Sequence, residues 1–216
     1  MRAKPQLIVI GAGGHALSVA DAALSSGWAV AGFYSPDGQG AAASVAPILT
    51  DLQKENLIDC AIALGIGTNY LRESAFHEIK SEFPRAEIVS IIHATAWVSP
   101  LATVKPGAEI LAHVAVGPGS TIRSGALLNT GASLDHDSSL GDFASLGPGT
   151  RTGGDVSIGS RTMVGMQSTV LHGITIGSDT VVGAHSLVNK DVESDVVLWG
   201  TPAKIVRSRL RDDPYY

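Results

Sequence analysis

The chain has 216 residues and one cysteine, and its 15 Lys plus Arg against 20 Asp plus Glu give a formal net charge of -5. A single cysteine excludes a disulfide framework and suits a reducing, cytoplasmic setting. Mild acidity without a long basic run excludes the usual nucleic-acid binders, and no apolar stretch reaches the roughly 18 residues of a membrane span. With charged residues at only 16% and 25 glycines, the composition points to many tight turns around a core of small and aliphatic side chains.

The apolar run Leu7 to Ile10 meets Gly11 at once, so it reads as a first strand and not as a signal peptide. A helix over His15 to Ser26 and a strand over Ala29 to Tyr34 follow. After Pro47-Ile48-Leu49 come a helix near Asp51 to Asn56, a strand over Cys60 to Leu64, a helix over Asn69 to Phe83 and a last strand, Ile88 to Ile92. This alternation predicts a small parallel sheet with helices packed on it, an α/β unit over residues 1–92. Cys60 sits in an apolar strand and reads as a core thiol.

Gly11-Ala12-Gly13-Gly14-His15-Ala16 joins the first strand to the first helix and fits the pattern G-x-G-x-x-G/A. Glycines there let a phosphate approach the backbone, and the free amides of the helix start point at it. About ninety residues is short for a full dinucleotide fold, so a mononucleotide or nucleotide-sugar fits better than NAD; a turn glycine-rich only for tight packing is the plain alternative. Gly13, Gly14 and His15 are the candidate phosphate contacts, with Tyr34 and Asp37 at the next strand end. Gly65 and Asn69 belong to a second strand-to-helix turn on the same sheet edge.

From Val98 onward the pattern changes. Aliphatic residues recur every six positions, from Val98 and Val104 through Leu134 and Leu140 to Val182 and Val188; of these sixteen positions only Thr152 is not Val, Ile or Leu. A period of six is neither helical nor that of a flat strand. It predicts a chain that turns a corner every six residues, three faces to a coil, with coils stacked as parallel strands about 4.8 Å apart. Residues 93–216 form this second unit and its tail.

Four histidines fall at the corners of the coil. His113, His172 and His185 read as solvated corner residues. His136 differs because Asp135 and Asp137 flank it, and a carboxylate beside an imidazole holds one tautomer and raises its basicity, as a general base needs. A solvated corner is the alternative. The sequence suggests no metal site, for no Cys or second His stands at ligand spacing.

The Gly-Ala-Gly-Gly-His turn, the block Leu134-Asp135-His136-Asp137-Ser138-Ser139-Leu140-Gly141-Asp142, the unbroken repeat and the ending Gly200-Thr201-Pro202-Ala203-Lys204 together resemble the sialic-acid O-acetyltransferase/PglD-like family. The resemblance spans nearly the whole chain and implies a Rossmann-like α/β domain followed by a left-handed parallel β-helix. It also implies a homotrimer with active sites between neighbouring prisms, and acetyl-CoA as co-substrate. The subgroup that fits best N-acetylates the 4-amino group of a nucleotide-linked 4-amino-4,6-dideoxyhexose, such as GDP-perosamine or a UDP or dTDP analogue, for surface polysaccharide, O-antigen or glycan synthesis. By resemblance His136 is the base and Asp137 its acidic partner, Gly13, Gly14 and His15 hold the sugar-nucleotide phosphates, and Met166 and Ala184 line the acetyl-CoA groove. Ser145 stands where several relatives carry a second histidine at the cofactor. Sialic-acid O-acetylation and a non-catalytic sugar-nucleotide-binding scaffold are the competing expectations.

Overall fold

The computed structural model describes residues 6–54 and 60–215. Its first unit is a five-stranded parallel sheet of β1 (Gln6–Ile10), β2 (Ala29–Tyr34), β3 (Ile48–Leu49), β4 (Cys60–Leu64) and β5 (Glu87–Ile88), in the order β3-β2-β1-β4-β5. The central strand β1 is apolar from Leu7 to Ile10 because that stretch is covered on both sides. Leu7 and Val9 pack under α1 (Gly14–Ser25) with Ala16, Val19, Ala20 and Ala23. Ile8 and Ile10 face the other way, under Ile79, Ala75 and Phe76 of α2 (Asn69–Glu82). Cys60 is half-buried and packs beside that second cluster.

Two expectations change. Where a helix was expected near Asp51 to Asn56, the described part is a single 3-10 turn, Leu52–Lys54, and the remainder lies outside the described residues. The strand expected over Ile88 to Ile92 is two strands in different sheets. β5 stays with β4 through Val89 N–H to Ile62 O at 2.9 Å, Ser90 turns the chain by donating its hydroxyl to Lys105 O at 2.8 Å, and Ile91–Ile92 begins the second unit.

That unit is a three-sided prism of two-residue strands. Face I holds Ile91–Ile92, Glu109–Ile110, Leu127–Leu128, Ser145–Leu146, Met163–Val164 and Val181–Val182. Face II runs from Trp97–Val98 to Leu187–Val188, and face III from Thr103–Val104 to Thr175–Ile176. From Ile91 to Val188 paired strand residues lie 18 places apart, as Leu127 with Ser145, Ser133 with Arg151 and Ser139 with Ser157. The inward aliphatic residues from Ile110 to Val188 form one cluster, joined by the small residues at the corners, Ala126, Ala132 and Ala144 among them. Between Gly107 and His185 each corner has one residue at positive φ, six places from the next. Gly suits that conformation and Asp tolerates it, but Phe143 and Arg161 hold it too, at φ 55° and 59°. The prism ends in Val196–Gly200, which joins face I and turns back as the antiparallel strand Ala203–Ser208.

The α/β unit lies on face I. Outward-facing residues there, Ile91, Glu109, Leu127 and Ser145, are buried, whereas Trp97 on face II is 66% exposed. Ile91, Leu111 and Leu127 join the α1 cluster, so the two units share one apolar core.

Leu134 is fully buried on face II. Replacing it with Ala should cost about 2–5 kcal/mol, read as a fall in the denaturant midpoint with little change in slope. A variant as stable as the parent would mean that the prism core is not packed as described.

Candidate active site

His136 lies on the edge between faces II and III, between Ser133–Leu134 and Ser139–Leu140. Its backbone N–H donates to Asp135 Oδ1 at 2.8 Å, which fixes the corner. Asp137, next in the chain, sits at φ 56° over Gly119, where any Cβ would collide with its carboxylate. This turn brings Asp137 Oδ2 to 2.9 Å from His136 Nδ1. With the carboxylate accepting the Nδ1 proton, Nε2 becomes the free ring nitrogen. The hydrogen bond to Asp137 raises the His136 pKa above the usual imidazole value; desolvation opposes that shift without cancelling it, and the charges of Asp135, Asp137 and Asp155 add to it. Of the two flanking carboxylates, then, Asp137 holds the ring while Asp135 holds the backbone.

One coil on, Gly154 occupies the same place on the edge. A Cβ there would overlap Cε1 and Nε2 of His136, so the imidazole lies along the edge over a residue that has no side chain. Two coils on stands His172, with its ring centroid 6.3 Å from that of His136. His172 is exposed, as are His113 and His185 on the edge between faces I and II. No group of three or more His, Cys, Asp or Glu side chains among the described residues is placed to hold a metal ion, and no described helix is long and apolar enough to cross a membrane.

The glycine-rich turn shows a second feature. Gly11, at φ 101°, is forced by the close approach of Gly65 O, but Gly13 and Gly14 have ordinary φ and open space where a Cβ would stand. Neither packing nor backbone conformation demands glycine at these two positions. α1 starts at Gly14 with no side-chain cap on its amides and no acidic residue in its first turn, which leaves an anion-receptive end facing open space. Asp37 is exposed past β2; hydrogen bonds from the Ser35 hydroxyl and the Gln39 N–H hold its carboxyl below the usual range. Tyr34 ends β2 and is half-buried.

Three expected contacts lie elsewhere. Gly65 is buried against Val9 and Ala16, so its lack of a side chain serves the packing of α1 on β1 and β4. Asn69 is 1% exposed, and its amide donates to Arg161 O and Thr162 O of the prism at 3.0 and 3.3 Å. Ser145, also 1% exposed, donates to Asn69 Oδ1 at 3.0 Å and lies under the α/β unit, away from the solvent a cofactor would come from. Met166 and Ala184 are exposed, one coil apart on the edge between faces I and II.

Other residues of this seam were not legible as functional in the sequence. Arg72, fully buried, donates to Gly125 O and Phe143 O of the prism, to Ile66 O and Gly67 O of the loop before α2, and to Asn69 Oδ1. Burial lowers its pKa, and the charge of Glu109 opposes that shift. Glu109 itself is 1% exposed and takes His15 Nε2 at 2.6 Å.

Residues 6–79 match the PglD N-terminal domain, and residues 155–190 match the bacterial transferase hexapeptide repeat. The fold is similar to that of PerB from Caulobacter crescentus, a structure in complex with CoA and GDP-perosamine, at 33% identity over 94% of this chain and 97% of that one, TM-score 0.86. The chain belongs to the PglD-like family of left-handed β-helix acetyltransferases. It is an acyltransferase of the hexapeptide class. The acetyltransferase domain of PglB from Neisseria gonorrhoeae, solved with acetyl coenzyme A, is similar at 28% identity over 94% of this chain and all of that one, TM-score 0.88. WeeI from Acinetobacter baumannii shares the fold at 18% identity over 93% of this chain and 99% of that one, TM-score 0.83. No curated protein matches the chain by sequence.

The raised His136 pKa fixes the sign of a pH effect. Protonated below that pKa, the imidazole cannot accept a proton, so kcat/KM should rise with pH through it. Asp137→Asn removes the hydrogen-bonded charge, so the acidic limb should shift to lower pH while the plateau falls. A limb that stays in place would show that a group other than His136 sets it. Gly154→Ala should displace the imidazole and lower kcat by about 10²-fold or more, with an unchanged melting temperature; wild-type turnover would refute the placement of the ring.

Proposed function

We propose that the protein transfers the acetyl group of acetyl-CoA to the 4-amino group of a nucleotide-linked 4-amino-4,6-dideoxyhexose, with His136 as general base. One observation carries the reading: an imidazole whose Nδ1 is tied to a carboxylate and whose Nε2 lies free over a glycine. The GDP-perosamine and CoA in the PerB structure and the acetyl coenzyme A in the PglB domain favour this pair of substrates, as does a PerB structure in which a histidine was replaced by alanine and that still holds both ligands.

Acetyl-CoA supplies the activated acyl group, and the chain's own residues do the rest. An amine arrives largely protonated and must lose one proton before it attacks and another afterwards. His136 Nε2 accepts one of them, and the charges of Asp135, Asp137 and Asp155 stabilise the imidazolium that forms. The Gly154 N–H has no hydrogen-bond partner among the described residues, and in this reading it is the donor for the oxyanion that forms when the amine attacks. No covalent enzyme intermediate is needed.

The topology favours a homotrimer. The glycine-rich turn belongs to the unit on face I, His136 lies on the edge opposite face I, and the exposed Met166 and Ala184 mark a third place. A single chain does not join these groups; prisms packed side by side would set the His136 edge of one copy against the face I edge of the next. In this reading the α/β unit holds the sugar nucleotide through Gly13, Gly14 and His15, with Asp37 just past the end of β2. Residues 93–216 hold acetyl-CoA, and the enzyme works in the cytoplasm on precursors of surface polysaccharide or glycan.

Release of CoA should be measured against GDP-, UDP- and dTDP-linked 4-amino-4,6-dideoxyhexoses and against sialic acid. Turnover confined to nucleotide amino sugars is expected, with a loss of about 10²–10⁴-fold in kcat/KM for His136→Asn. Turnover with sialic acid alone would make the protein an O-acetyltransferase, and unchanged turnover in the variant would remove His136 as the base.

A further inference from the structure

The bond between His15 and Glu109 crosses from one unit to the other, 94 residues apart in the chain, and the function proposed above gives it no part. Glu109 faces outward from the second strand of face I, where the α/β unit covers it to 1% exposure. Its Oε2 lies 2.6 Å from His15 Nε2, and its Oε1 is buried with no partner among the described residues. His15 is the second residue of α1, at the open end beside Gly13 and Gly14, and its side chain keeps 17% exposure. Gly67, from the loop that Arg72 ties to the prism, lies along the Cβ to Cδ2 side of the ring, 3.7 to 4.0 Å from where its own Cβ would be.

An ionised carboxylate only accepts, so a short bond from it to Nε2 places the imidazole proton there. Nδ1 is then the one ring nitrogen left for a ligand at the head of α1, and with its lone pair free it accepts from a hydroxyl or N–H of the sugar nucleotide, while the phosphates are left to the amides of the turn. This is how an outer carboxylate fixes the tautomer of a histidine that does its work with the other nitrogen. A carboxylate taken out of water with one oxygen unpartnered is costly unless its neighbours compensate. The buried Arg72 supplies a positive charge that Glu109 interacts with, and His15 supplies the hydrogen bond.

We propose that Glu109 is a positioning residue for the sugar nucleotide: from the prism it sets the tautomer and orientation of His15 and so presents Nδ1 at the glycine-rich turn. The inference rests on the reading of that turn as the sugar-nucleotide site. It also explains why a charged residue occupies a face whose other outward residues are the uncharged Ile91, Leu127, Ser145, Met163 and Val181.

Three measurements on the full-length enzyme, with GDP-perosamine as probe, test it. Long-range ¹⁵N–¹H correlation spectra of the wild type, with His15 assigned by its loss in His15→Ala, should show the Nε2–H form; an Nδ1–H form overturns the proposal without need of a Glu109 variant. Glu109→Gln should raise the KM for GDP-perosamine about tenfold while the KM for acetyl-CoA stays within about twofold. An unchanged KM, or equal rises in both, means that Glu109 only helps to hold the two units together. Combining His15→Ala with Glu109→Gln should add less than about twofold to the larger single effect, and fully additive effects overturn the coupling. Should His15→Ala alone leave the GDP-perosamine KM unchanged, the substrate reading of the turn fails, while the spectra still decide whether Glu109 sets the tautomer.

Discussion

Every part of the prism depends on one constraint: each coil repeats the one before it after 18 residues and one strand spacing. A residue therefore has its near neighbours fixed 18 places away in either direction, and the room for a side chain on an edge is decided by a residue in the next coil. His136 lies along its edge because Gly154 stands under it, and Asp137 bends over Gly119 for the same reason. Hydrogen bonds from coil to coil keep this registry, as Asp155 N–H to His136 O at 2.8 Å and Asp137 N–H to Pro118 O at 2.9 Å. An imidazole on such an edge is held more firmly than its exposure suggests, since the carboxylate and the backbone that orient it belong to the same ladder.

The second organising feature is the seam between the units, and it is polar at its centre. A fully buried arginine is expensive unless its donors are met. Arg72 meets them with carbonyls from both sides, those of Gly125 and Phe143 on the prism and those of Ile66 and Gly67 on the loop beside the glycine-rich turn. Apolar contact through Leu111 and Leu127 holds the units together, but apolar contact tolerates sliding. Carbonyls aimed at a planar guanidinium do not, so the position of the turn relative to the prism is set by hydrogen-bond geometry. The chain's end adds to this. Tyr215 accepts the Asn69 N–H at 2.7 Å, Arg161 pairs with both Glu73 of α2 and Asp179 of the prism, and Arg211 also reaches Glu73.

Much of this architecture was legible from the residues. The six-residue register is visible because the core accepts only aliphatic side chains at one phase. The β–α alternation is visible because a buried central strand such as Leu7 to Ile10 reads as an unbroken apolar run. His136 stood out through its neighbours Asp135 and Asp137. What could not be read were relations across the seam. Asn69 follows a strand and opens a helix, as ligand contacts do, yet α2 turns that residue toward the prism. Arg72 lies in a helix among polar residues and looks solvated. For Glu109 a signal existed: the outward residues of face I taken every 18 places, Ile91, Glu109, Leu127, Ser145, Met163 and Val181, are far less polar than the Ser and Thr of face III. Such a series marks a covered face, and a carboxylate in it has to have a buried partner.

These two constraints together explain why the chemistry is spread over the molecule as it is. A coil offers rigid edges but no cavity, since its interior is filled by aliphatic side chains from Ile110 to Leu198. A site on a convex edge needs a second surface to exclude water and to hold the substrate. The α/β unit provides such a surface, but it is fixed on face I by the seam, on the far side of the prism from His136. Reaching round to the edge of its own prism would take a loosely tethered unit, and this one is locked by Arg72 and Glu109. Under the proposed function, the firmness of the seam is what calls for a second copy. The turn is held away from the His136 edge of its own prism, so the proposed trimer has to bring a neighbouring edge to it, and the accuracy of that meeting would depend on how rigidly each chain keeps its own two halves in register.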